Sequence, residues 1–67
     1  MSTQSGSTKA ELSVAADHVD RYRERVAGLV QPLLGGSHDD AIAAMYEAER
    51  ALRTASRALE RAANLLK

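Results

Sequence analysis

The chain has no cysteine, no tryptophan and no phenylalanine, and it holds two tyrosines and one proline. Without cysteine, neither a disulfide nor a thiolate metal site can stiffen so short a polypeptide. With only Tyr22 and Tyr46, there is no aromatic platform of the kind on which single-stranded nucleic acid stacks. An excess of one charge is missing too: nine basic residues balance nine acidic ones, so no long-range pull toward nucleic acid or an anionic membrane is built in. No apolar run is long enough to span a bilayer, and Met1 to Ser7 lack the basic and apolar regions of a signal peptide. The expectation is a cytoplasmic chain, with leaderless export as the other route the sequence allows.

The heptad spacing of apolar residues organises the rest. Leu12, Ala15, Val19, Tyr22, Val26, Leu29 and Leu33 alternate steps of three and four, which keeps one helical face apolar. Ala41, Met45, Ala48, Leu52, Ala55, Leu59, Ala62 and Leu66 repeat the pattern beyond Gly35-Gly36-Ser37, with large residues on one sub-stripe and alanine on the other. Folding back about Ser37 pairs residues whose numbers sum to about 74, so that large side chains meet small ones except at Leu29 with Met45 and Tyr22 with Leu52. The expected fold is an all-α antiparallel two-helix hairpin dimerising into a four-helix bundle. Its expected core is Leu12, Val19, Tyr22, Val26, Leu29, Met45, Leu52 and Leu59. Residues 1–7, rich in Ser, Thr and Gly, are expected to form a disordered leader to a single domain over 8–67, with helix one over about 8–31, the turn over about 32–37 and helix two over about 38–66. Thr8 with Glu11, and Ser37 with Asp40, fit capping boxes, and Pro32 predicts a kink or an early stop near Val30.

A hairpin this small buries too little to be comfortably stable alone. Ala44, Ala51, Ala58 and Leu65 form a second row beside Met45, Leu52, Leu59 and Leu66, wider than one seam requires. Ile42, Ala63, Ala16 and Val30 widen the apolar faces on the other flank. Ile42, Ala44, Ala51, Ala58 and Leu65 are therefore the expected interface, either with a second copy or with another helical protein.

Chemistry is thinly represented. Arg50, Arg53, Arg57 and Arg61 run along helix two and are the candidate phosphate contacts, but Glu47, Glu49 and Glu60 are interleaved with them. His18 and His38 each have aspartates nearby and no second histidine at helical ligand spacing, so no metal or other cofactor is expected. Inward positions are aliphatic or alanine, which describes a core and not a catalytic pocket, and the chain is read as a non-catalytic interaction or scaffolding module.

Leu33-Leu34-Gly35-Gly36-Ser37 as a turn, followed by an alanine-rich helix from Ala41 to Leu66, resembles the small helical hairpins of type VII secretion, the WXG100 family. Leu33 or Leu34 stands where that family carries tryptophan, and Arg50 and Val26, four residues after the two tyrosines, stand where its export signal carries an acid. The resemblance implies a leaderless hairpin that pairs with a second, different hairpin into a four-helix bundle.

Overall fold

The computed structural model describes residues 2–66, with side chains described from Gly6 onward; Met1 and Lys67 lie outside the described residues. Helix α1 spans Ser2–Val30, a single 3-10 turn follows at Gln31–Leu33, and helix α2 spans Asp39–Leu65. The two helices pack against each other as one antiparallel layer with overall extents of 55 × 14 × 11 Å.

Pro32 accounts for the end of α1. It has no amide hydrogen to donate and its ring would collide with the preceding turn of an α-helix, so the chain tightens into the 3-10 turn. Leu34 then turns extended, its amide donating to the Gln31 carbonyl at 3.2 Å, and Gly35 adopts φ +84°, a conformation costly to any residue with a side chain. The Gly36 amide donates to the Leu33 carbonyl at 3.3 Å, and the His38 ring packs close enough that a Cβ on Gly36 would stand 3.4 Å from its Cδ2.

Both expected caps are displaced. α1 is helical back to Ser2, so the expected leader is helical from that residue and Thr8 lies inside the helix. Extending an existing helix adds a backbone bond for each residue fixed, and a capping residue does not stop it by itself. At α2 the cap position is His38, one residue past Ser37, with no side-chain cap bond; its carbonyl accepts from the Ile42 amide at 2.9 Å. Asp39 and Asp40 place negative charge on that first turn. The other end of α2 has no basic residue of its own, and Lys9 of α1 reaches across to donate from Nζ to the Leu66 carbonyl at 3.3 Å.

The seam between the helices differs from the expected one by a rotation. Half of it coincides with the apolar stripe: Leu12, Val19 and Val26 of α1 with Leu33 of the 3-10 turn, and Met45, Leu52 and Leu59 of α2 with Leu66 just past its end, are half-buried. The other half is Ala16, Arg23 and Val30, facing Ile42, Glu49, Ser56 and Ala63, in place of the expected Tyr22 and Leu29 and of Ala41, Ala48 and Ala55; Ala15 and Ala62 stay half-buried at its edge. Ala16, Val30, Ile42 and Ala63 are the buried apolar residues, while Tyr22 and Leu29 are 57% and 56% exposed. Ile42 thus belongs to the hairpin's own core, at 8% exposure, and is not free for a partner.

The reason is steric and polar together. A tyrosine ring between two helices forces them apart and needs a partner for its hydroxyl. Ala16 and Ser56 instead let the helices approach closely, and the Ser56 hydroxyl is satisfied by the Ala16 carbonyl at 3.1 Å. Arg23 and Glu49 are half-buried at one level of the seam and attract one another across it, as long side chains do that cover apolar surface while their charged heads stay wet. Cross-helix neighbours, namely Ala16 with Ser56, Arg23 with Glu49 and Asp20 with Arg53, have numbers summing to 72 or 73, close to the expected 74.

Two substitutions test this account. Ser56→Leu should overpack the close approach and lower unfolding stability by about 1–3 kcal/mol in urea titration; a more stable variant would mean that the helices have room there. Gly35→Ala should cost about 1 kcal/mol for its left-handed φ, and an unchanged melting temperature would contradict the turn geometry.

Candidate interaction face

In an antiparallel pair, residues one position before the seam on both helices fall on the same side of it, because each helix is turned in the same sense about opposed axes. On one side this places Ala15, Tyr22 and Leu29 of α1 beside Ala41, Ala48, Ala55 and Ala62 of α2. The next row out on α2 is Ala44, Ala51, Ala58 and Leu65, all exposed, with Leu65 at 80%. The corresponding row on α1 is polar: Glu11, His18 and Arg25. One broad face of the hairpin is therefore apolar, floored by alanine on α2 and carrying Tyr22 and Leu29 as its bulky projections from α1.

Arg25 extends over this face, its guanidinium carbon 5.4 Å from the centroid of the Tyr22 ring, a cation over a π-system. His18, Arg21, Tyr22 and Arg25 together outline a shallow depression. Tyr46, which follows Met45, lies on the opposite side of the seam.

That opposite side is a shallow polar groove, lined among others by Asp17, Asp20, Arg53, Arg57 and Glu60, with Ser56 at its floor. Asp20 accepts from Arg23 Nε at 2.9 Å, and Asp17 pairs with Arg21 at 2.8 Å. The Arg23 hydrogen bond holds the Asp20 carboxyl below its ordinary 3.8, against desolvation and with help from the charges of Arg23 and Arg53, and the same bond raises the Arg23 guanidinium.

The chain matches no family model, no curated protein and no solved structure.

The geometry sorts the residues singled out from sequence. Leu12, Val19, Val26, Met45, Leu52 and Leu59 line the seam, and Tyr22 and Leu29 leave it for the apolar face. Ala44, Ala51, Ala58 and Leu65 lie on that face, while Ile42 is enclosed beneath it. Arg53 and Arg57 border the polar groove, where Asp17, Asp20 and Glu60 offset their charge; Arg50 and Arg61 are exposed on α2. His18 and His38 do not come together, and among the described residues no group of three or more acids and histidines converges as a metal site. Among them, too, no helix is long and apolar enough to cross a membrane. Apolar patterning overlooks Arg23, Glu49 and Ser56 because they are polar. The readable signals were the opposite charges of Arg23 and Glu49 at one level and the small residues Ala16 and Ser56 at another.

The sign of the Asp20 effect gives a prediction. A carboxyl whose pKa is lowered in the folded state contributes stability that is complete above its unfolded value and lost as pH falls through the folded one. Asp20→Asn should therefore remove part of the acid sensitivity below pH 3.8 and leave the slope at neutral pH unchanged. Thermal melts of both proteins across that range check it, and superimposable acid limbs would show that the Asp20–Arg23 bond does not form in solution.

Proposed function

We propose that the protein is a non-catalytic helical interaction module that works by docking its apolar face on other helices. The observation that carries this reading is the exposure of Tyr22, Leu29 and Leu65 on one continuous face with six exposed alanines, over a hairpin in which, among the described residues, only Ala16, Val30, Ile42 and Ala63 are buried apolar ones. Alanine lets a second backbone approach, the bulky side chains fill the grooves of the partner, and charges at the rim set the register. A single layer of two helices has no enclosed interior in which to desolvate a titrating group, which argues against acid-base or covalent catalysis within one hairpin.

Light scattering coupled to size exclusion, with helicity followed by circular dichroism, tests the reading. The expected result is an assembly that keeps its mass at high salt, as apolar burial does and phosphate binding does not. Ala51→Glu combined with Ala58→Glu should dissociate it, since each glutamate would be buried without a partner. A double variant that retains the wild-type assembly would exclude the face, and so would a chain that is fully helical and monomeric alone.

A further inference from the structure

Building on that reading, we infer that the apolar face is covered by a second copy of this chain, related by a twofold axis parallel to the helices, so that α1 of each copy lies antiparallel on α2 of the other. Three observations bear on the choice of occupant.

The first is area. A compact folded chain of 7.2 kDa exposes about 4100 Å², whereas this hairpin exposes 5132 Å². The excess, about 1000 Å² per chain, is close to the roughly 800 Å² that each partner of a stable complex buries. The radius of gyration agrees, at 15.8 Å against about 11 Å for a compact domain of this length.

The second is shape. A twofold axis parallel to the helices preserves level along the rod, so α1 of the second copy meets α2 in the register that α1 already holds within its own hairpin. Tyr22 then comes level with the partner's Ala51, Leu29 with the partner's Ala44, and Ala15 with the partner's Ala58, each pair summing to 73 as Asp20 and Arg53 do within the hairpin. The large exposed side chains of α1 fall on the alanine rows of α2, and symmetry makes each contact twice. A perpendicular twofold axis would instead set alanine against alanine on α2 and bulk against bulk on α1, leaving two gaps of unequal width.

The third is charge. One residue from those pairs, at the sum of 72 that Ala16 and Ser56 keep within the hairpin, Arg25 stands beside the partner's Glu47, His18 beside Thr54 of the partner subunit and Glu11 beside the partner's Arg61. Both charged pairs are of opposite sign. Among the described residues Glu11, Glu47 and Arg61 make no ion pair inside the hairpin, and Arg25 rests only on Tyr22.

Single cysteines decide the arrangement, because the chain has none of its own. Leu29→Cys and Ala44→Cys chains, mixed and bridged with a short bifunctional maleimide, should give a heterodimer at least tenfold in excess of that from Ala51→Cys mixed with Ala55→Cys. The reverse ratio overturns the parallel axis. Glu47→Arg with Arg61→Glu should weaken association roughly tenfold at low salt, since each pair occurs twice, and adding Glu11→Arg and Arg25→Glu should restore it; failure of that rescue overturns the register. A poorly helical monomer overturns the second copy while leaving the docking face intact, and a fully helical monomer overturns both.

Discussion

The Ser56 hydroxyl donates to the Ala16 carbonyl at 3.1 Å, where two small residues bring the helices together through a buried polar contact. That close approach sets the rotation of each helix about its own axis. With Ala16 and Ser56 inward, heptad spacing carries Arg23, Val30, Ile42, Glu49 and Ala63 inward with them. It also carries Tyr22, Leu29 and the alanines from Ala41 to Ala58 on that face outward. The core and the exposed face are consequences of the same setting: turning either helix by one residue would exchange one of its seam rows for a row on the apolar face.

The hairpin itself was legible because its signals are redundant. A heptad stripe on each side of Gly35-Gly36, proline just before the turn and paired aspartates just after it all point to the same chain reversal. The rotation was less legible. Reading apolar residues alone, Ala15-Tyr22-Leu29 scores above Ala16-Arg23-Val30, and Ala41-Ala48-Ala55 above Ile42-Glu49-Ser56. The structure favours the second set, since long charged side chains keep their heads in water while their stems pack, and a serine with a carbonyl to bond is no worse inside than alanine. Patterning therefore finds the stripe within one residue, and the identity of the half-seam is decided by packing that no hydropathy scale records. The caps failed for a different reason: Thr8 and Ser37 are competent capping residues, but the termini of α1 and α2 are set by what the neighbouring chain does, from continued helix at Thr8 to the glycine turn at Ser37.

The ends of the rod are held differently from its middle. At the turn, Gly35 and the Leu33 carbonyl fix the reversal locally. At the open end, the exposed contact from Lys9 to the Leu66 carbonyl brings a cation to the negative end of α2, where a helix without basic residues in its last turn gains most from one. Such a contact is sensitive to salt and modest in strength, so the open end is where the isolated hairpin has least to hold it together.

The two faces of the layer make opposite demands on their surroundings. On the polar side, Asp17, Asp20 and Glu60 stand among Arg53 and Arg57, so charge is offset within the hairpin and water can complete the solvation. On the apolar side, Tyr22, Leu29 and Leu65 have no such compensation. A lipid surface could in principle cover an amphipathic face, but binding to anionic lipid draws on a rim of one sign. Here the rim alternates, Glu11 and Arg25 on α1 and Glu47 and Arg61 on α2, in a chain with no net charge. An alternating rim repels a uniformly charged surface at half of its positions and is matched only by another alternating rim. In the proposed dimer the second copy would supply such a rim with opposite signs facing, and that match, more than the apolar area alone, is the ground for proposing a helical protein as the occupant.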